Sequence, residues 1–157
     1  MEKPSRILII DDDENIRKVL KTILEDEGYI IDTAETAKIG IEKSQKGFYN
    51  LALIDVRLPD MEGIELLSKL RDTKPKMRKI IVTGYPTLQN AVAAVNKGAD
   101  AYVMKPFDVE KILQTIKEQL QTQAEEKKYS EAKIAEFIET RVKELEAENE
   151  VVLKRSS

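Results

Sequence analysis

Apolar positions along this chain change their spacing at regular intervals. Residues 6–10 are apolar after Arg6, the pattern of a parallel strand covered on both faces. From Ile16 the period becomes helical: Ile16, Val19, Leu20, Ile23 and Leu24 stand at i, i+3, i+4, i+7 and i+8, one stripe on a helix that Gly28 ends. The alternation repeats at 29–34 and 36–46, at 51–54 and 64–74, at 79–82 and 87–97, and again at 101–104 with a helix from about Asp108. Gly47, Pro75 and Gly98 fall where these helices must stop. Five consecutive βα units with short connections predict an α/β fold, a doubly wound parallel sheet with helices on both faces, because right-handed crossovers leave few other arrangements. Chemistry in such a sheet collects at the carboxyl ends of the strands, near the reversal of strand order.

Beyond Phe107 no Gly or Pro occurs, so the fifth helix is expected to continue past the sheet. Val109, Ile112, Leu113, Ile116 and Leu120 make its expected core-facing stripe, and apolar spacing then lapses through 121–131. It resumes as a diluted seam of Ile134, Ile138, Leu145 and Val152, with Arg141 and Glu148 at the alternate seam positions. Glu139 with Lys143 and Glu150 with Lys154 are favourable i, i+4 pairs. The expected division is therefore a domain over 1–122 and a helical extension over 123–157, reaching about 50 Å if wholly helical. That extension reads either as a dimerising stalk or docking arm, or as the start of a linker to an effector. Ile134, Phe137, Ile138 and Leu145 on one face favour the stalk.

At 157 residues the chain is long enough for a real core, which must be aliphatic because there are three Phe and no Trp. Absence of Cys excludes disulfides and thiolate chemistry, and absence of His excludes histidine bases, histidine-ligated metals and a phosphohistidine on this polypeptide. Residues 1–122 carry 19 basic against 20 acidic side chains, so no electrostatic capture of nucleic acid is expected. No apolar run spans a bilayer and no leader precedes the first strand, which points to a cytoplasmic protein away from membranes.

The predicted strand ends deliver Asp11, Asp12 and Asp13 after the first strand, Asp55 after the third, Thr83 after the fourth and Lys105 after the fifth. Clustered carboxylates repel unless a cation sits among them, and hard oxygen donors suit Mg²⁺. A carboxylate there could attack a phosphoryl group while the metal and Lys105 neutralise its oxygens. Asp55, on the middle strand, is the candidate nucleophile. Taken alone, an Asp run before a helix is more often an N-cap, which fits Asp12 or Asp13.

The order and spacing of these residues carry a resemblance to the receiver domain of two-component response regulators, over residues 5 to about 122. It rests on Ile-Ile-Asp-Asp-Asp at 9–13, Asp-Val-Arg-Leu-Pro-Asp-Met-Glu-Gly at 55–63, Val-Thr-Gly at 82–84 and Tyr-Val-Met-Lys-Pro-Phe at 102–107. The resemblance implies a flavodoxin-like (βα)5 sheet in the order 2-1-3-4-5 and a phosphorelay role: Asp55 takes a phosphoryl group from a histidine kinase or phosphotransfer protein. It implies that Asp12 and Asp55 ligate Mg²⁺ directly and Asp11 largely through water, with the Arg57 backbone carbonyl completing the set. Thr83 would be the switch hydroxyl, Gly84 would leave room for the phosphoryl group, Lys105 would pair with it, and Tyr102 would be the switch aromatic. The Lys105-Pro106 peptide would be cis, and Arg57 and Tyr85 would occupy the places that tune phosphoryl lifetime. Such a protein regulates through the surface formed by its fourth helix (87–97), fifth strand (101–104) and the helix after Asp108, by partner binding or homodimer formation. It would phosphorylate and slowly dephosphorylate itself without turning over an external substrate.

Two other readings use the same residues. A haloacid-dehalogenase-type phosphatase also opens with an apolar strand and Asp-x-Asp, which Asp11 and Asp13 fit, but it leaves Asp55 without a role. A receiver-like scaffold that only binds partners has no need of Asp12, Asp55, Thr83 and Lys105 together.

Overall fold

The computed structural model describes residues 3–84 and 86–156, the side chains of 153–156 excepted. Five strands, β1 (Arg6–Ile10), β2 (Ile30–Ala34), β3 (Leu51–Asp55), β4 (Arg78–Thr83) and β5 (Ala101–Met104), form one parallel sheet in the order β2-β1-β3-β4-β5. Helices α1 (Glu14–Asp26), α2 (Ala37–Lys46), α3 (Gly63–Leu66) and α4 (Leu88–Asn96) alternate with them, and α5 (Val109–Ser156) follows β5.

Successive side chains of a strand point to opposite faces, and the apolar runs feed both. Ile7, Ile9, Leu51, Leu53, Ile80 and Val82 pack with α1 and the first turns of α5. Leu8, Ile10, Ala52, Ile54 and Ile81 pack on the opposite face with the α2, α3 and α4 side. The near-continuous apolar strands are thus the sequence record of a sheet covered twice.

Helix starts are fixed by side-chain caps. Asp13 accepts from the Asn15 and Ile16 amides, Thr36 from Ile39 and Thr87 from Asn90, each satisfying N–H groups that a first turn leaves unpaired. Of the two Asp residues expected to cap α1, Asp13 does so. Gly28 and Gly98 follow α1 and α4 with φ of 93° and 102°, left-handed conformations that glycine adopts without strain.

Three expectations are corrected. Val19 is 56% exposed and Val109 44% exposed, so neither belongs to its core-facing stripe. Val19 sits on the flank of the α1 stripe, and Val109 opens α5 one turn before Ile112 reaches the sheet. The third correction is α3, expected over 64–74 but helical only to Leu66. Past Leu66 the Lys69 N–H donates to the Leu66 carbonyl at 2.9 Å, a tighter i→i−3 turn, and further on the Arg71 N–H donates to Ser44 Oγ at 3.3 Å while Lys79 Nζ donates to the Leu67 carbonyl at 2.6 Å. Leu66, Leu67, Leu70 and Met77 are still buried, so the segment keeps its apolar role without its helix.

Packing divides the chain into two units, residues 1–123 and residues 124–157. The second is helical, and its side chains from 124 to 152 are exposed. No helix among the described residues is long and apolar enough to cross a membrane.

Candidate functional site

Strand order reverses between β1 and β3, which lie side by side with Ile10 opposite Ile54. That register sets Asp11 beside Asp55 at the carboxyl rim. On the other side of β3, Asp55 stands opposite Val82, and Thr83 stands opposite Met104. Sheet register alone therefore brings Asp11, Asp55, Thr83 and Lys105 to one edge, at the topological switch point where ligands of open α/β sheets bind.

Carboxylate oxygens of Asp11, Asp12 and Asp55 all lie within 4.8 Å of one another, and these three form the acidic cluster found among the described residues. Lys105 Nζ reaches into it, 3.0 Å from Asp11 Oδ2 and 3.6 Å from Asp55 Oδ1. Asp13 turns away to cap α1. Asp11 is buried, its carboxylate accepting from the Asp13 N–H at 2.9 Å, and its backbone carbonyl accepts from Arg17 Nη1 at 2.7 Å. Asp55 is 9% exposed.

Burial is the main cause that pushes the Asp55 carboxyl up to about 6, and the Asp11 charge adds to it; Lys105 and the Arg57 backbone N–H pull it down, and Asp12 raises it a little. The Lys105 ammonium contacts two of the three carboxylates, and the cluster remains short of positive charge. Its donor set is all hard oxygen, which fits Mg²⁺ at 2.0–2.1 Å per ligand. Ligands of one such ion lie up to about 4.2 Å apart, so a 4.8 Å span calls for only slight closure.

Thr83 is buried at the end of β4, and its carbonyl accepts from the Lys105 N–H at 2.7 Å. A Cβ added at Gly84 would meet only the Lys105 Cβ, at 3.9 Å, so the space beside the ammonium is open. Tyr102 lies partly buried against the α4 side of the sheet, and its hydroxyl is buried with no hydrogen-bond partner among the described residues. A buried unpaired hydroxyl costs free energy. Arg57 is exposed in the loop after β3, forming an isolated bridge with Glu62. The Lys105-Pro106 peptide is cis. Tyr85 lies outside the described residues.

Sequence reasoning missed two supports. Asp60, in the Asp55 loop, accepts from the Ala37 and Lys38 amides at 3.0 and 2.9 Å, capping α2 from 23 and 22 residues away and tying the loop after β3 to that helix. Those hydrogen bonds hold its carboxyl below the usual carboxylate range. Gln123, buried, joins Asn50 and Lys76 through their carbonyls. Neither has a local spacing signal.

A doubly wound five-stranded sheet of this order with an acidic cluster and a lysine at its switch point defines a CheY-like regulatory domain. The chain belongs to the response regulator receiver domain family, whose model matches residues 7–117, and it is therefore a regulatory signalling protein of the two-component class. The match removes the phosphatase alternative. A receiver domain protein (CheY-like) from Methanospirillum hungatei JF-1 is 51% identical, with a TM-score of 0.75, over 79% of this chain and 99% of that one. A response regulator from Burkholderia pseudomallei, solved with a phosphorylated aspartic acid and a calcium ion, is 32% identical, with a TM-score of 0.68, over 78% and 72%. The Bacillus subtilis (strain 168) transcriptional regulatory protein YkoG is 38% identical over 74% of this chain and 51% of its own length. The chain spans about half the length of the curated relatives it matches.

Proposed function

We propose that Asp55 accepts a phosphoryl group from the phosphohistidine of a sensor kinase or phosphotransfer protein, and that its arrival changes the partner affinity of the α4-β5-α5 surface. The observation that carries this reading is the meeting of three carboxylates within 4.8 Å, with Lys105 3.0 and 3.6 Å from two of them. No histidine exists among residues 1–157, so the donor lies outside them. An Asp55 oxygen bonds to phosphorus as the donor's P–N bond breaks, and the imidazole leaves with that electron pair. With its carboxyl at about 6, Asp55 is mainly ionised and nucleophilic at neutral pH.

Asp12 and Asp55 would hold Mg²⁺ directly, Asp11 largely through water, and the Arg57 carbonyl would complete the protein ligands. The bound ion supplies charge neutralisation on the phosphoryl oxygens. Lys105 gives up part of its contact with Asp11 to pair with the new group, which adds about −1.5 to −2 charge. Thr83 hydrogen-bonds a phosphoryl oxygen in the space Gly84 leaves. Tyr102, its hydroxyl unpaired, follows inward, a population shift between two packings. Arg57 and Tyr85 stand at the sequence positions that tune phosphoryl lifetime in the family, and set it here. The Burkholderia relative, with its phosphorylated aspartic acid and calcium ion, supports a phosphoaspartate beside a divalent cation.

Leu88, Val92, Val95 and Met104 are exposed on the α4-β5 face, which supports an apolar protein partner there and not nucleic acid. The protein is assigned to the cytoplasm, with residues 1–122 as the receiver and 123–157 as an extension. It modifies itself and turns over no external substrate. Acetyl phosphate with Mg²⁺ should label the protein stoichiometrically with an acid-labile phosphoryl group, and Asp55→Asn should abolish the label. Full labelling of that variant overturns the assignment.

A further inference from the structure

The helical unit of residues 124–157 leaves a row of apolar side chains in solvent. Ile138 is 55% exposed, Val142 47%, Leu145 44% and Val152 63%. A seam routed through Arg141 and Glu148 places two charges inside it. Shifted by one residue at those two points and at Ile134, the seam reads Ala135, Ile138, Val142, Leu145, Asn149 and Val152, spaced 3, 4, 3, 4, 3. This is an unbroken run of alternating a and d positions, with Ala135, Val142 and Asn149 at a and Ile138, Leu145 and Val152 at d.

The new register changes what each polar residue does. Arg141 and Glu148 move to the flanking g positions, and Glu139 and Glu146 occupy e. In a parallel pair the g residue of one helix meets the e residue of the next heptad on the other, so Arg141 faces Glu146 of the second copy, twice by symmetry. Charge complementarity therefore selects another copy of this same segment. Val at a with Leu at d favours two strands, and a single Asn at a fixes register and strand number because only Asn149 opposite itself satisfies both amides. Along each helix, Arg141 with Glu144 at 3.0 Å and Lys143 with Glu139 at 3.3 Å lie beside the seam and leave it clear.

We infer that residues 135–152 of two copies pair as a parallel, in-register, two-stranded coiled coil with Asn149 opposed to Asn149. This goes beyond the phosphoryl reading and does not depend on it.

The chain has no Cys, so single cysteines report geometry cleanly. A parallel in-register seam brings each a position close to its own copy, within the span a disulfide bridges, whereas an f position faces outward. In the full chain under a glutathione redox buffer, Val142→Cys and Asn149→Cys should each form disulfide dimers at least tenfold faster than Ala147→Cys, an f position. Cross-linking at only one of 142 and 149, as in an antiparallel pair, overturns the inference. Equal rates at all three positions also overturn it. Sedimentation of the unmodified chain should show a concentration-dependent dimer that Leu145→Asp abolishes; a monomer throughout, or an unchanged dimer in the variant, overturns it as well. Circular dichroism of the Leu145→Asp chain checks that the sheet domain is retained.

Discussion

A Cβ placed on Gly63 would stand 2.0 Å from the backbone oxygen of Asp55. The Gly63 N–H also donates to the Val56 carbonyl at 2.7 Å, so the loop after β3 closes directly onto the strand that carries the candidate nucleophile. The clash is with backbone, which cannot rotate away. Gly63→Ala should destabilise the fold by about 2–4 kcal/mol, at and above the usual range for overpacking. Urea unfolding measures it, and a change under 0.5 kcal/mol would show that the loop yields freely.

Desolvation and the Asp11 charge oppose an ionised Asp55 in the metal-free protein. Asp55→Asn removes that cost and should raise the melting temperature in EDTA. Mg²⁺ should reverse the ranking. Wild type gains about 2.7 kcal/mol at a hundredfold excess over its dissociation constant, and the variant gains little because one of its ligands is gone. Paired thermal scans with and without Mg²⁺ test both halves, and equal Mg²⁺ stabilisation of the two proteins would exclude Asp55 as a ligand.

Tyr49, 3% exposed, donates to Asp32 Oδ2 at 2.7 Å, while Lys43 Nζ holds Oδ1 at 2.8 Å. Burial first, and then Asp32, push the Tyr49 phenol up to about 12. An unfolded phenol loses its proton near 10, so between about 10 and about 12 the folded state binds the extra proton. Stability then falls as pH rises through that window. Tyr49→Phe should flatten this slope. At neutral pH it should cost about 1 kcal/mol, since part-exposed Asp32 can turn to water. Denaturant midpoints across alkaline pH provide the comparison.

Gln123 donates to the Asn50 and Lys76 carbonyls at 2.9 and 2.8 Å, and its own side-chain carbonyl accepts from Asn50 Nδ2 at 3.2 Å. Gln123→Ala removes three hydrogen bonds from a part-buried junction and should cost about 1–3 kcal/mol. Gln123→Leu, which keeps the volume but not the hydrogen bonds, should cost a similar amount. Chemical denaturation of both variants separates lost polar contacts from lost packing, and a neutral Gln123→Leu would assign the role to packing.

The sheet was legible because its signal is local and repeated: strands such as 7–10 are apolar at every position since both faces are covered, and Thr36 and Thr87 sit where a first turn needs an acceptor. The site was legible through position, since consecutive strand ends must share a rim. Other features depend on distant partners. Asp60 reads as a loop charge until α2 is placed beside it, and Gln123 as one polar residue in a lapse of apolar spacing. Val19 and Val109 fit their helical periods within the tolerance of a stripe, so spacing alone could not remove them. Residues 64–70 keep a helical apolar spacing, and the hydroxyl and ammonium that engage Arg71 and Leu67 come from distant elements.

That interruption ties three parts of the domain together. Ser44 belongs to α2 and Lys79 to β4, so residues 67–71 are stitched to a helix on one side and a strand on the other. Rewinding the segment would strip the half-buried Lys79 ammonium of the carbonyl that receives it, and would give up the Arg71 contact in the same motion. A mutation at position 44 or at position 79 by itself leaves the other stitch in place. The path of the chain after this helix is thus an inheritance from its neighbours, encoded 27 residues upstream at one end and 12 downstream at the other.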